Sequence, residues 1–183
     1  MTNGRSDTAT GMLRDEHQLI LSVVDVLDET LNKSTLDFDV IDRCISFFRL
    51  FADACHHGKE EDLLFPELIE QGMPGDAGPI AVMLAEHVQG RLFVRGMAEA
   101  MAGARAGDET AATSLRDSAH DYIDLIRPHI GKEDNILFEM ADGMVVGDAC
   151  RLLCDRYDVV CQRRFEGKTK DDLEAIAASL MAG

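Results

Sequence analysis

The chain contains an internal repeat, and the repeat carries histidines. The ten residues from His56, His-His-Gly-Lys-Glu-Glu-Asp-Leu-Leu-Phe, align without gaps to those from His129, His-Ile-Gly-Lys-Glu-Asp-Asn-Ile-Leu-Phe. Six positions are identical at an offset of 73 residues, and Glu16-His17 corresponds to Glu86-His87 at an offset of 70. The fold is therefore expected to contain two copies of one unit, each with a His on its first element and His-x-x-x-Glu on its second. On a helix, residues i and i+4 stack on one face. His56 with Glu60, and His129 with Glu133, can then each reach one point.

Apolar residues recur at helical spacing, and Gly and Pro are scarce inside the periodic stretches. Leu13, His17, Ile20, Leu21, Val24 and Leu27 share a face of a first helix, about 10–32. A second helix, capped by Asp37 or Asp39, runs to about Gln71 with Ile45, Phe48, Ala52, His56, Glu60, Leu63 and Leu64 inward. After the Gly- and Pro-rich loop 72–79, a third helix runs to about 105 with Ile80, Met83, Leu84, His87, Val94, Met97 and Met101 inward. A fourth starts at Asp108 and reaches about Asp142, with Leu115, Tyr122, Leu125, His129, Glu133, Ile136 and Leu137 inward. Two more helices are expected over about 146–166 and 169–181, the second with Thr169 and Asp172 as a capping box. The fold class expected is all-α: an up-down-up-down four-helix bundle with two extra C-terminal helices. The divisions are a mobile tail over 1–9, the bundle over 10–142 and a helical extension over 143–183. The extension is expected to cover one end of the bundle or to form a homodimer contact.

The formal charge of −16 sets the chain against nucleic acid and anionic lipid as main partners. No apolar run reaches the ~20 residues a bilayer needs, and the first ten residues lack a signal-peptide core. A cytoplasmic location is expected. The five cysteines are an odd number without any C-x-x-C pair, which argues against a disulfide framework. Cys150, Cys154 and Cys161 share a helical face, where a soft-metal site is conceivable but packing as small hydrophobes is the simpler reading.

Taken singly, each histidine reads as a satisfied core or surface residue. The symmetric set is different: His17, His56, Glu60, His87, His129 and Glu133 would bring four imidazoles and two carboxylates to the middle of the bundle. Buried without partners, each neutral group would cost roughly 2–7 kcal/mol. Two metal ions would satisfy them. Nitrogen and carboxylate donors suit iron, manganese or zinc and match calcium or magnesium poorly. The repeat also settles the register, because Lys59-Glu60 matches Lys132-Glu133. His57 then falls opposite Ile130 and is expected at the surface or behind the ligands, with a place among the ligands as the lesser alternative, and His120 is expected to face solvent. Tyr122 and Asp53 are candidates to back the ligands from outside, Tyr122 as a donor or redox-active phenol and Asp53 by orienting an imidazole. Phe65, Phe138 and the methionines Met83, Met97 and Met101 would form an apolar plug around the site.

At these residues the sequence resembles the hemerythrin-like family, the HHE cation-binding domain, over about 10–142. The segment His56–Leu68 is similar to that family's second-helix signature and His129–Phe138 to its fourth-helix one, with Glu139 where Pro is often found. The resemblance implies a non-haem di-iron centre with bridging carboxylates and an oxo or hydroxo bridge, held by His17, His56, Glu60, His87, His129 and Glu133. Dioxygen carriers of the family have a further His on the third helix in an H-x-x-x-H pair. Here Arg91 follows His87 by four and Met83 precedes it by four. The resemblance is therefore nearer the four-His group, which includes iron–sulfur-repair proteins and bacterial proteins tied to nitric oxide, peroxide or iron.

A six-ligand centre leaves positions open for a small ligand. The leading expectation is redox chemistry on, or detoxification of, peroxide, nitric oxide or dioxygen. The alternatives are an iron- or gas-binding sensor or storage protein without turnover, and a metal-free interaction bundle.

Overall fold

Side-chain caps fix where the main helices begin. Asp37 Oδ1 accepts from the amides of Asp39 and Val40, and Asp108 Oδ1 from those of Thr110 and Ala111. Thr169 and Asp172 exchange the reciprocal bonds of a capping box. The computed structural model describes residues 8–182. Among these it has six helical rods: α1, Gly11–Leu31; α2, 38–70; α3, Gly78–Arg105; α4, 109–144; α5, Asp148–Cys161; and α6, Lys170–Met181. No β-strand occurs among the described residues. The all-α expectation holds, with rod ends within a few residues of those read from periodicity.

α1 packs on α2 and α4, and α3 packs on α2 and, most extensively, on α4, so the four rods enclose one core. Leu13, Ile20, Val24 and Leu27 of α1 meet Phe47, Phe48 and Phe51 of α2 inside it. The Phe47 and Phe51 rings stack at 4.8 Å. α6 lies against α1 and α2, and α5 against the Glu60–Leu64 stretch of α2. Of the expected 1–9 tail, residues up to 7 lie outside the described residues. Ala9 and Thr10 at its end are buried, and the Thr10 hydroxyl donates to Asp142. No described helix is long and apolar enough to cross a membrane.

Two rods are not wound uniformly. In α2 the stretches Phe48–His57 and Glu60–Leu64 have i→i+5 hydrogen bonds, and in α4 so does Glu133–Leu137. Such wide turns are rare and cluster at functional sites. The last two begin on the repeated glutamates: Phe65 N–H donates to the Glu60 carbonyl and Phe138 N–H to that of Glu133. This winding corrects one expectation. Ile136 is 52% exposed, not inward, because the wide turn after Glu133 changes the phase of the α-helical stripe and turns Leu137 and Phe138 inward instead.

Among the described residues no cluster of three metal-donor side chains includes a cysteine. Cys161 Sγ instead lies 4.0 Å from Met12 Sδ, in keeping with the packing reading. Cys44 and Cys55 are fully buried, and burial pushes both thiols up to about 12. Both should therefore resist iodoacetamide at pH 8 in the folded protein and react once it is denatured. Peptide mapping by mass spectrometry checks this, and rapid labelling of native Cys55 would show that α2 opens.

Candidate metal centre

The structure brings His17, His56, Glu60, His87, His129 and Glu133 together, one or two from each rod of the core, all buried. Donor atoms of His17, His56, Glu60 and Glu133 lie within 4.8 Å of one another. The two carboxylates link the halves. Glu60 approaches His56 Nε2 at 3.5 Å and His87 Nε2 at 3.4 Å. Glu133 approaches His17 Nε2 at 3.2 Å and His129 Nε2 at 3.4 Å. Glu133 also lies 3.8 Å from His87 Nε2, so each carboxylate touches histidines of both copies of the repeat.

The outward nitrogen of every one of these imidazoles meets a carboxylate. His17 Nδ1 is 2.7 Å from Asp134, His56 Nδ1 3.0 Å from Glu16, His87 Nδ1 2.7 Å from Glu61 and His129 Nδ1 2.9 Å from Glu86. A proton on Nδ1 donating outward leaves an Nε2 lone pair aimed at the centre, which is how metal-ligating histidines are held. Lysines support two of the braces: Lys59 and Lys170 pair with Glu16, and Lys132 pairs with Glu86. Phenylalanines flank the other two, with Phe138 stacked on His17 at 5.2 Å and Phe65 on His87 at 6.0 Å. These braces were missed from the sequence, yet the repeat held them. Glu16 and Glu86 are its upstream pair, and Glu61 and Asp134 follow the repeated glutamates.

Burial and neighbouring charge pull these groups in opposite directions. Burial, then Glu133, pushes the Glu60 carboxyl well above its ordinary range. Burial also opposes ionisation of Glu133, but the surrounding His129, His17 and His87 hold it below that range. Burial works against the charged form of His17, yet Asp134 and Glu133 raise it to about 9. His56 is pushed down to about 4 by burial despite Glu16. The inner nitrogens of His17, His87 and His129 and all four oxygens of Glu60 and Glu133 have no hydrogen-bond partner. Seven polar atoms without a hydrogen-bond partner, gathered between the four rods, fit a metal site.

Of the alternatives for His57, the surface one is excluded and the place behind the ligands is the one it takes. It is 6% exposed rather than at the surface, and its ring stacks on His87 with centroids 3.8 Å apart and planes 15° from parallel. One of its nitrogens lies within 4.8 Å of donor atoms of His87 and His129. Stacked face to face, His57 covers His87 rather than standing beside it. Its ring would have to turn before sharing a metal in the plane of His87. The counterpart Ile130 carried the signal, since an apolar residue at that register position marks an inward face. Asp53 faces His57 (3.4 Å) rather than His56, and also binds Arg91 at 2.7 Å. Tyr122 is buried against Phe48 at 4.7 Å. His120 is exposed, as expected. A cavity of about 390 Å³ between α2, α3 and α4 is lined by His57, Asp53, Arg91, Tyr122, Gly90 and Phe48, among others.

A family model described as the hemerythrin HHE cation binding domain matches residues 8–141. The chain belongs to the hemerythrin HHE family. Among relatives of this HHE protein is an uncharacterized protein, Rv1995 of Mycobacterium tuberculosis, 24% identical over 162 residues that cover 86% of this chain and 63% of the relative. The iron-sulfur cluster repair protein YtfE of Escherichia coli O81 is 35% identical over 89 residues, 47% of this chain and 40% of that protein. The HHE chain thus spans less than two thirds of the length of either relative. The family match ends before α5, so the rods α5 and α6 lie outside it.

Proposed function

We propose that His17, His56, Glu60, His87, His129 and Glu133 hold two irons, bridged as the family resemblance implies, and that the centre performs redox chemistry on peroxide, nitric oxide or dioxygen. The observation that carries this reading is the set of orphaned imidazole and carboxylate atoms converging between four rods. The partial likeness to a protein named for iron–sulfur cluster repair adds iron handling to it. An up-down-up-down course of α1 to α4 accounts for each copy contributing to both halves.

When bound, the irons would supply open coordination positions and one-electron changes. The chain's own residues do the rest. The Nδ1 braces hold the imidazoles in one tautomer, and Phe65 and Phe138 keep bulk water from the ligands. The cavity lined by His57, Arg91 and Asp53 would give a small ligand a way in. The exposed Val146, Leu152 and Val159 support a homodimer through the C-terminal helices. The test is metal analysis with an optical spectrum, followed by peroxide, nitric oxide and dioxygen. Two irons per chain and catalytic consumption of one oxidant are expected. Spectral change without turnover would instead support the sensor or storage reading, and a colourless, iron-free protein from iron-rich growth would end the metal reading.

A further inference from the structure

Eight buried side-chain polar atoms among the described residues lack a hydrogen-bond partner. Seven belong to the candidate metal centre, and the eighth is the hydroxyl of Tyr157. Tyr157 is on α5, beyond the residues the family model matches, and is 0% exposed. Its rod packs on Glu60–Leu64, the wide turn that begins with Glu60. Burial holds the phenol well above its ordinary range, so the hydroxyl keeps its hydrogen. A buried tyrosine normally finds a partner for its hydroxyl, and a phenylalanine would fill the same space without stranding one. The polar tip is therefore matched to something the folded chain alone does not supply.

We propose that Tyr157, carried in by the C-terminal extension, donates its hydroxyl hydrogen to the small ligand held beside Glu60. The inference rests on the di-iron reading above and adds a positioning residue to it. The extension is then part of the site: it closes the side of the bundle next to Glu60 and leaves the cavity at His57 as the way in.

The test uses the full iron-loaded chain with azide as the probe. In Tyr157→Phe, iron content is expected to stay at the wild-type level while azide affinity, read from the optical titration, falls about tenfold, the effect of one hydrogen bond to a charged ligand. The metal-free variant should melt no lower than wild type, because no partner is lost. Leu153→Ala, which loosens the same rod but keeps the hydroxyl, should retain azide affinity. Azide affinity within twofold of wild type in Tyr157→Phe overturns the proposal, as does an equal loss in Leu153→Ala, which would make the effect one of packing. A visible phenolate-to-iron band that disappears in Tyr157→Phe overturns it too, by making Tyr157 a ligand rather than a donor. Absence of iron in the wild-type chain is a different failure, that of the metal reading itself, and metal analysis separates the two.

Discussion

Glu60→Ala is expected to empty both halves of the centre, whereas His17→Ala should empty only one. The difference follows from where the side chains reach. Glu60 lies between His56 of its own copy and His87 of the other, at 3.5 and 3.4 Å. On the proposed di-iron reading its loss would take a donor from both metals and leave the repulsion between the ions less compensated. His17 contributes its Nε2 to one side only, and His87, His129 and both carboxylates remain without it. Metal analysis after matched iron loading should give close to zero iron in Glu60→Ala and about one per chain in His17→Ala. Equal iron in the two variants would contradict the bridging role of the carboxylates.

Metal removal should have the second large effect, with a variant whose sign reverses between states. A ligand bound only by the folded chain stabilises it by about 4 kcal/mol at a thousandfold excess over its dissociation constant. For a chain of this size that is roughly 8–16 °C in melting temperature. A chelator that strips the iron should lower the melting temperature by at least that much. The stripped protein then buries Glu60 beside Glu133 with no cation between them, and burial with the neighbouring charge already opposes ionisation of Glu60. Glu60→Gln keeps the shape and removes a buried ionisable group. The stripped variant should therefore melt about 2–8 °C above stripped wild type, from roughly 1–2 kcal/mol of relieved desolvation. After iron loading the order should reverse. Calorimetry of the four samples checks both signs, and a Glu60→Gln variant less stable than wild type in both states would show that Glu60 supports the fold rather than the metal.

The four rods and the six inward donors were legible because they follow from two strong signals, helical periodicity and a repeat with histidines in register. What was not legible depends on winding and on neighbours. Ile136 was placed inward by assuming a uniform α-helical pitch, and the wide turn after Glu133 turns it out. For His57 the repeat left surface, backing and ligand places open, although buried Ile130 marks its position as inward. The carboxylates behind the imidazoles looked like ordinary surface charge, since Glu16, Glu61, Glu86 and Asp134 sit among many others in a chain of net charge −16. Tyr157 gave no local sign at all, because its relation to Glu60 exists only after α5 folds back on α2.

The braces are shared between the copies in an uneven way. His56 and His129 are held by glutamates of their own copy, Glu16 and Glu86. His17 and His87 are held by the opposite one, through Asp134 with Phe138 and through Glu61 with Phe65. A polypeptide of half this length could not orient its own leading imidazole. Two such halves, set side by side about a twofold axis, would complete each other at both places, so the interlock that joins the repeats here is the one a self-pairing hairpin would have required.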